Sequence, residues 1–335
     1  MTFSIAMATF NGARYLREQL ASIALQTSRP AELVACDDGS GDETLEILRA
    51  FGESAPFEVR VEVNPQRLGA SDNFLKAASL CRSDWIAFCD QDDVWLPGKL
   101  AAVGALVRRR SGLVLVAHRA SLVDETLRPS GRILHVPTVR RLRVVPPLAQ
   151  SFWAYPYGFT MSFSARLLRA APIAGRPVES HDRWIAIVAS VLGETAYLPE
   201  VLALYRRHGQ NASQLHPPLT PLGTLKQQGV EKEFSAASRL LEQLAAHLGQ
   251  SAATASGEEA TRLAEGARVY ARHAAALSQR SELSRVGAPL GRRLRGYARL
   301  IASGGYRTHE NGGLGWRACM KDALRIALSP VRGSS

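Results

Sequence analysis

Cysteine is scarce in this 335-residue chain: Cys36, Cys81, Cys89 and Cys319 are the only four, and no C-x-x-C pair occurs. That usage argues against a disulfide framework and a cysteine zinc site. Three of the four lie in or beside apolar segments, as reduced buried thiols do. No run of about 18 apolar residues appears, so no membrane-spanning helix is expected. Met1-Thr2-Phe3-Ser4-Ile5 lacks a basic region leading into an apolar one, so a cytoplasmic chain without a secretory signal is expected. Several phosphate and nucleophile motifs are missing too. There is no G-x-x-x-x-G-K-[ST] loop, no G-x-G-x-x-G after the first apolar segment and no G-x-S-x-G elbow. Gly39-Ser40-Gly41-Asp42 is too short and too acidic to cradle a pyrophosphate by itself, so bound phosphates would need a cation.

What is present is ordinary in amount and uneven in placement. Hydrophobic residues make up 46% and charged residues 21%, enough for a buried core in one large domain or two smaller ones. The net charge is +11, of which the residues from Arg268 onward carry +10 (13 Lys/Arg against 3 Asp/Glu). A basic C-terminal segment on a near-neutral body points to an anionic surface. Lipid headgroups and nucleic acid both answer that description, as does an Arg-rich solvated tail.

The first 125 residues alternate strand and helix patterns. Phe3–Thr9 reads as a buried strand, residues 13–26 as a helix with Leu16, Leu20 and Ile23 on one face, and Glu32 to Cys36 as a second strand. Asp42 is placed to cap the next helix. Val59, Val61 and Val63 alternate with charged residues as in a half-exposed strand. A helix over 71–80, a strand over 85–89, a helix over 96–110 and a strand over 113–117 follow. This rhythm predicts an α/β fold with a mostly parallel, Rossmann-like sheet flanked by helices. Such sheets bind ligands beyond the carboxyl ends of their strands. Asn11, Asp37-Asp38 and Asp90-Gln91-Asp92-Asp93 each follow an apolar strand. Crowded carboxylates repel, and oxygen-only ligands suit a hard cation such as Mg²⁺ or Mn²⁺, which suits a diphosphate. Taken alone, the run could equally be a solvated acidic turn. Its coincidence with polar clusters at two other strand ends favours the cation.

The middle of the chain, about 128–205, is less regular. Phe152-Trp153-Ala154-Tyr155-Pro156-Tyr157-Gly158 would serve as a sugar floor or as core of the sheet's second half. His181-Asp182-Arg183-Trp184 opens an apolar helix over 185–192. From about 215 the alternation stops. Helices are expected over 234–248 and 260–277, with a loop over 251–259 between them. Two basic amphipathic helices are expected over 290–301 and 316–328, the second with Arg317, Lys321 and Arg325 on one face.

Three ordered motifs carry a family resemblance. Ala8-Thr9-Phe10-Asn11-Gly12, Cys36-Asp37-Asp38-Gly39-Ser40-Gly41-Asp42 and Phe88-Cys89-Asp90-Gln91-Asp92-Asp93-Val94-Trp95 resemble family 2 glycosyltransferases of the GT-A fold. With His181-Asp182-Arg183-Trp184 and Tyr205-Arg206-Arg207-His208-Gly209-Gln210-Asn211, they are similar to the bacterial rhamnosyltransferase-like branch. The resemblance covers about 1–212, which implies a GT-A domain there and a basic helical extension over 213–335. It implies that Thr9, Phe10 and Asn11 line the nucleotide site. Asp37 or Asp38, with Asp38 favoured, would accept from the pyrimidine N3–H. Asp90 would lie near the ribose and the metal, and Asp92 would bind Mg²⁺ or Mn²⁺ bridging the diphosphate. His208 matches a position that reaches the metal or diphosphate. Asp182 matches the general base of inverting transfer, although His181 and Arg183 stand where the family more often has acidic or aromatic neighbours.

The expected reaction is inverting transfer from a nucleoside-diphosphate sugar, TDP-rhamnose as the best specific donor, to a polysaccharide or lipid-linked glycan. Peripheral contact with the inner face of the cytoplasmic membrane, rather than with nucleic acid, would explain the basic segment. A nucleotidyltransferase would need a Gly-rich loop and a basic residue after the first strand, and the chain offers only Asn11-Gly12-Ala13-Arg14 there. A non-catalytic sugar-nucleotide binding module would not need Asp90, Asp92 and Asp182 together.

Overall fold

The computed structural model describes residues 1–134, 140–150, 155–170, 176, 180–209, 211, 230–284, 288–308 and 313–327. The chain forms two compact units, Met1–Pro147 with Ser151–Ala212, and Leu148–Gln150 with Ser213–Ser335. Within the aromatic stretch 152–158, residues 152–154 lie outside the described residues.

The first unit is built on one sheet. Its strands are β1 (Phe3–Thr9), β2 (Glu32–Asp37), β3 (Glu58–Val63), β4 (Trp85–Cys89), β5 (Val94–Trp95), β6 (Leu113–Val123), β7 (Pro129–Leu134), β8 (Arg143–Val145), β9 (Met161–Ser164) and β10 (Glu194–Arg206). They run in the order β3-β2-β1-β4-β9-β6-β10-β5, with β7 on β6 and β8 on β10. The pairs β1–β2, β2–β3, β1–β4 and β6–β10 are parallel. Every residue of β1 and β2 is buried, because helices cover both faces of a parallel sheet and both sides of each strand must be apolar. Strand β3 lies at the edge, which is why its charged residues alternate with valines and Val63 stays exposed.

Helices α1 (Ala13–Ala24), α2 (Thr44–Ser54), α3 (Ala70–Leu80), α4 (Lys99–Arg109), α5 (Arg166–Ala170) and α6 (His181–Leu192) complete the unit. Leu16, Leu20 and Ile23 of α1 are fully buried, each contributing about 1.5–3 kcal/mol. Asp42 acts at the start of α2 one residue outside the cap. Its Oδ1 accepts from the Thr44 backbone N–H at 3.1 Å and its Oδ2 from the Ala13 N–H at 3.1 Å. Helix α4 starts three residues later than its pattern predicts. Val94 and Trp95 pair instead with Leu204 and Ala203 of β10, and Pro97 separates strand from helix.

Two features depart from the simple alternation. Strand β9 inserts antiparallel between β4 and β6, so the sheet is parallel in blocks rather than throughout. Strand β10 runs for 13 residues through Pro199, with its register against β6 shifting between Tyr197 and Val201. A bulge of that kind breaks period-2 patterning, which hid this strand in the sequence.

The second unit is helical: α7 (Val230–Thr254), α8 (Gly257–Leu283), α9 (Leu290–Ala302) and α10 (Trp316–Ala327). The break between α7 and α8 spans two residues where the sequence predicts nine. The Ser251 hydroxyl donates back to the His247 carbonyl at 3.0 Å, so it does not compete with the backbone ladder for an N–H. Gly257, at φ 60°, turns the chain. Leu241, Leu244 and Leu248 of α7 and Leu263, Val269 and Leu277 of α8 are buried. Helices α9 and α10 are held by Leu300 and Ile326, packed with Ala276 and Leu283. Asp322, fully buried, accepts from Arg280 Nε at 2.7 and 3.0 Å and from the Tyr306 hydroxyl at 2.9 Å. Arg325 therefore turns inward, with Nη1 3.6 Å from Asp322, and does not join Arg317 and Lys321 on the outer face.

Candidate functional site

The carboxyl ends of β1, β2 and β4 share one edge, because these strands are parallel and Thr9 pairs with Asp37 while Met7 pairs with Cys89. The loops beyond that edge hold one another through side-chain to backbone bonds. The Asn11 N–H donates to Ser40 Oγ at 2.9 Å, and Asn11 Oδ1 accepts from the Gly41 N–H at 2.8 Å. Asn11 has φ 49°, a left-handed conformation that asparagine tolerates better than most residues. Gln91 grips the Phe10 backbone from both sides: Oε1 accepts from its N–H at 2.9 Å and Nε2 donates to its carbonyl at 3.1 Å. A Cβ on Gly12 would fall 2.3 Å from Gln91 Oε1, so the glycine is required for this approach. The Arg67 guanidinium lies 3.8 Å from the centre of the Phe10 ring.

Asp37 and Asp38 are both buried and differ in what they have left to offer. Asp37 Oδ1 accepts from the Gly39 and Ser40 N–H groups, and Oδ2 from the Thr9 and Ser40 hydroxyls. Four donors fill a carboxylate. Asp38 Oδ1 accepts from Asn64 Nδ2 and the Leu68 N–H, and Oδ2, among the described residues, from the Gly69 N–H alone. Asp38 therefore keeps one acceptor position. Thr9, its hydroxyl turned to Asp37, is buried beneath this loop.

The acidic run after β4 is a cluster. Ligand oxygens of Asp90, Asp92 and Asp93 lie within 4.8 Å of one another. Asp93 is fully buried; its Oδ1 accepts from the Arg206 N–H at 3.1 Å, while its Oδ2 has no hydrogen-bond partner among the described residues. Burial and the charges of Asp92 and Asp182 push the Asp90 carboxyl up to about 8, with Lys99 opposing. Burial and the charges of Asp92 and Asp90 hold Asp93 well above the usual carboxylate range. An orphaned buried carboxylate oxygen in a set of hard oxygen donors fits a divalent cation such as Mg²⁺ or Mn²⁺. A metal must displace the proton on Asp90. We therefore expect Mn²⁺ affinity, read by electron paramagnetic resonance, to rise about tenfold per pH unit for one displaced proton and to level off above about 8.

Asp92 is held by the loop after β10. His208 Nε2 lies 2.7 Å from Asp92 Oδ2, and Asn211 Nδ2 donates to the same oxygen at 3.4 Å. The His208 ring packs tilted against Tyr15, with ring centres 4.7 Å apart. His208 stands outside the three-carboxylate group and reaches it through Asp92.

Sequence reasoning missed three supports of this cluster. Arg206, 1% exposed, donates from Nε to the Asp92 carbonyl at 2.9 Å and from Nη1 to the Glu125 carbonyl at 2.7 Å, and pairs with Glu18. Lys99 is fully buried, donates to the Phe159 carbonyl at 2.8 Å and lies 3.5 Å from the Trp95 ring centre. Burial pulls its ammonium down to about 7. Gln91, inside the acidic run, ties it to β1. Lys99 carries no signal in one dimension, since its burial site is assembled from distant segments. Arg206 and Asn211 lay within the quoted motif without an assigned role.

Asp182 sits in the first turn of α6, which starts at His181 and is capped by Ser180, whose Oγ accepts from the Arg183 N–H. The Asp182 carboxylate is therefore not the cap, although its Oδ1 accepts from the Arg183 N–H at 2.7 Å. Its charge acts on Asp90 and on the hydroxyls of Tyr155 and Tyr157, both raised by burial first and by Asp182 second. The Arg183 guanidinium lies 5.6 Å from the centre of the Tyr155 ring. His181 faces inward, stacked 4.3 Å from Phe74 with its backbone N–H on Ser71 Oγ. Burial holds it neutral, at about 4.

The chain was compared with known proteins. It is 28% identical over 223 residues to an uncharacterized glycosyltransferase of Nostoc sp., a match covering 63% of this chain and 66% of that protein. It is 37% identical over 106 residues to a dTDP-rhamnosyl transferase of Shigella flexneri, 30% of this chain and 37% of the relative. The chain thus spans less than two thirds of the length of these relatives. The crystal structure of S. aureus TarS 1–349 in complex with UDP-GlcNAc superposes with a TM-score of 0.55 at 18% identity, over 95% of this chain and 92% of that one. The likeness is one of fold, and the expected GT-A sheet with a helical C-terminal region is the architecture observed. The family described as Glycosyl transferase family 2 matches residues 4–171, half of the chain, and with its motifs gathered at one edge of the sheet the protein belongs to that family.

Proposed function

We propose that the protein is an inverting glycosyltransferase that moves a sugar, with rhamnose as the best specific reading, from a nucleoside-diphosphate sugar to a polysaccharide or lipid-linked glycan. The observation that carries this reading is the cluster of Asp90, Asp92 and Asp93 oxygens, within 4.8 Å of one another at the edge where the ends of β1, β2 and β4 also present Asn11 and Asp38. Asp182, on α6, lies close enough for its charge to help raise Asp90. Residues 1–212 would hold the transferase domain, and 213–335 the basic extension.

In this reading Asp182 takes the proton of the acceptor hydroxyl as its oxygen attacks the anomeric carbon. Asp90 and Asp92 hold the cation, with His208 and Asn211 fixing the Asp92 carboxylate. When bound, Mg²⁺ or Mn²⁺ neutralises charge on the departing diphosphate. Phe10 and Asn11 line the base and Thr9 supports them through Asp37. The spare acceptor of Asp38 takes the pyrimidine N3–H. The Shigella relative's name supports a TDP-rhamnose donor. A lipid-linked acceptor is supported by a 34% match over 97 residues to an Escherichia coli UDP-Glc:alpha-D-GlcNAc-diphosphoundecaprenol beta-1,3-glucosyltransferase. Anionic lipid at the inner face of the cytoplasmic membrane is proposed as the partner of the basic helices.

A donor panel tests this reading. Nucleoside diphosphate release should require Mg²⁺ or Mn²⁺, be fastest with TDP-rhamnose, and yield a product of the opposite anomeric configuration. Retained configuration would overturn the inverting assignment. Pyrophosphate release from a nucleoside triphosphate would favour a nucleotidyltransferase, and donor binding without turnover a binding module.

A further inference from the structure

Six of the twelve large apolar side chains exposed among the described residues lie on α9 and α10: Leu290, Leu294, Ile301, Trp316, Met320 and Leu324. They are not left over from core packing. The inward faces of these helices are already filled, by Leu300 and Tyr297 on α9 and by Ala318 and Ile326 on α10. The exposed residues form stripes of their own. Leu290, Leu294 and Ile301 fall within about 40° of one another around α9. Trp316, Met320 and Leu324 follow at i, i+4 and i+8 along α10, with Trp316 69% exposed. On α10 the exposed Arg317 and Lys321 border the stripe, whereas on α9 the exposed Arg295 lies about 100° round the helix from Leu294, and Arg292 and Arg299 lie on the face opposite the stripe. Tyr297 ties the two helices together, its hydroxyl 3.0 Å from Cys319 Sγ.

We propose that α9 and α10 form a lipid-docking surface that inserts these apolar side chains into an anionic bilayer while the exposed cations of both helices are drawn to its headgroups. The inference rests on the lipid contact proposed above and deepens it from charge attraction to insertion. A solvated basic tail needs no outward Trp, Met or Leu. Nucleic acid would reward the cations and leave the stripes in water. A second copy of the chain would bring two segments of +10 together, which repel. An exposed apolar stripe with an Arg/Lys-rich face elsewhere on the same helix matches the boundary between headgroups and acyl chains. Salt weakens the charge component, whereas buried apolar area persists.

The test is flotation of the full chain with vesicles of pure phosphatidylcholine or of an equal mixture with phosphatidylglycerol. Wild type should float with the mixed vesicles, stay partly bound at raised salt, and show quenching of Trp316 fluorescence by brominated lipid, with Trp316→Phe as the blank. Leu294→Ser with Trp316→Ser should weaken partition about tenfold or more and abolish the salt-resistant fraction. Arg292→Gln, Arg295→Gln and Arg299→Gln together should weaken binding at low salt. Circular dichroism and nucleoside diphosphate release should match wild type in both, since all five positions are exposed and outside the candidate site. No flotation of wild type would overturn the lipid contact itself. Flotation unchanged by Leu294→Ser with Trp316→Ser would overturn insertion alone. A loss of self-association in that variant would assign the stripes to a second copy, and RNA binding indifferent to it would assign the cations to nucleic acid; either overturns the proposal.

Discussion

Replacing Asp182 with Asn is expected to lower kcat about 10²–10⁴-fold, the usual contribution of a positioned general base, while the donor Kd changes little. The substitution keeps the volume and removes the proton acceptor. It also leaves the Ser180 cap and the Arg183 N–H in reach of an oxygen, so α6 should stay folded. A second readout separates the base from a merely structural residue. Small exogenous carboxylates should restore part of the variant's rate, which they would not do for a residue that only holds the fold. An Asp182→Asn enzyme with wild-type turnover would remove this residue from the mechanism. The neutral, inward-facing His181 is no substitute, because its ring is stacked on Phe74.

Replacing Asp92 with Ala should be as severe for a different reason. The substitution removes one of three clustered carboxylates and the acceptor of both His208 and Asn211. A loss of 10²-fold or more in kcat is expected, of the order seen when a group stabilising transition-state charge is deleted. Mn²⁺ binding, measured without substrates, should weaken in parallel. Weakened catalysis with unchanged Mn²⁺ affinity would mean that Asp92 does not touch the cation. The loop should survive the change, because Arg206 holds it by donating from Nε to the Asp92 carbonyl and from its backbone N–H to Asp93 Oδ1 rather than through the Asp92 side chain.

The candidate site was legible where chemistry follows strands. Asn11, Asp37-Asp38 and Asp90-Asp92 were placed at strand ends by the apolar runs that precede them, and the parallel register brings those ends to one edge. The division of labour between Asp37 and Asp38 was not legible. It depends on which donors surround each carboxylate, and those come from Asn64, Leu68 and Gly69 as well as the adjacent loop. Asp93, left open by its motif between holding the loop and meeting the acceptor, joins the cluster with its Oδ1 held by the Arg206 N–H.

The second half of the sheet shows the same limit. Strand β9 is four residues long and β10 is interrupted by a bulge, so neither has the periodicity that announces a strand. In the C-terminal unit the basic amphipathic pattern was plain, yet Arg325 turned out to face Asp322, while Trp316, Met320 and Leu324 face outward.

By itself the sequence determined the α/β order of the first unit, the helical character of the second, the concentration of positive charge after Arg268 and the acidic motif that suits a divalent cation. These are local properties, set by periodicity, turn residues and the spacing of like charges. Only the tertiary structure decided that the Asp182 charge reaches Asp90, that His208 and Asn211 hold Asp92, and which side of each basic helix is left for a partner. Those outcomes depend on burial and on donors and acceptors far apart in the chain, and they exist once packing has excluded water from one face and not the other.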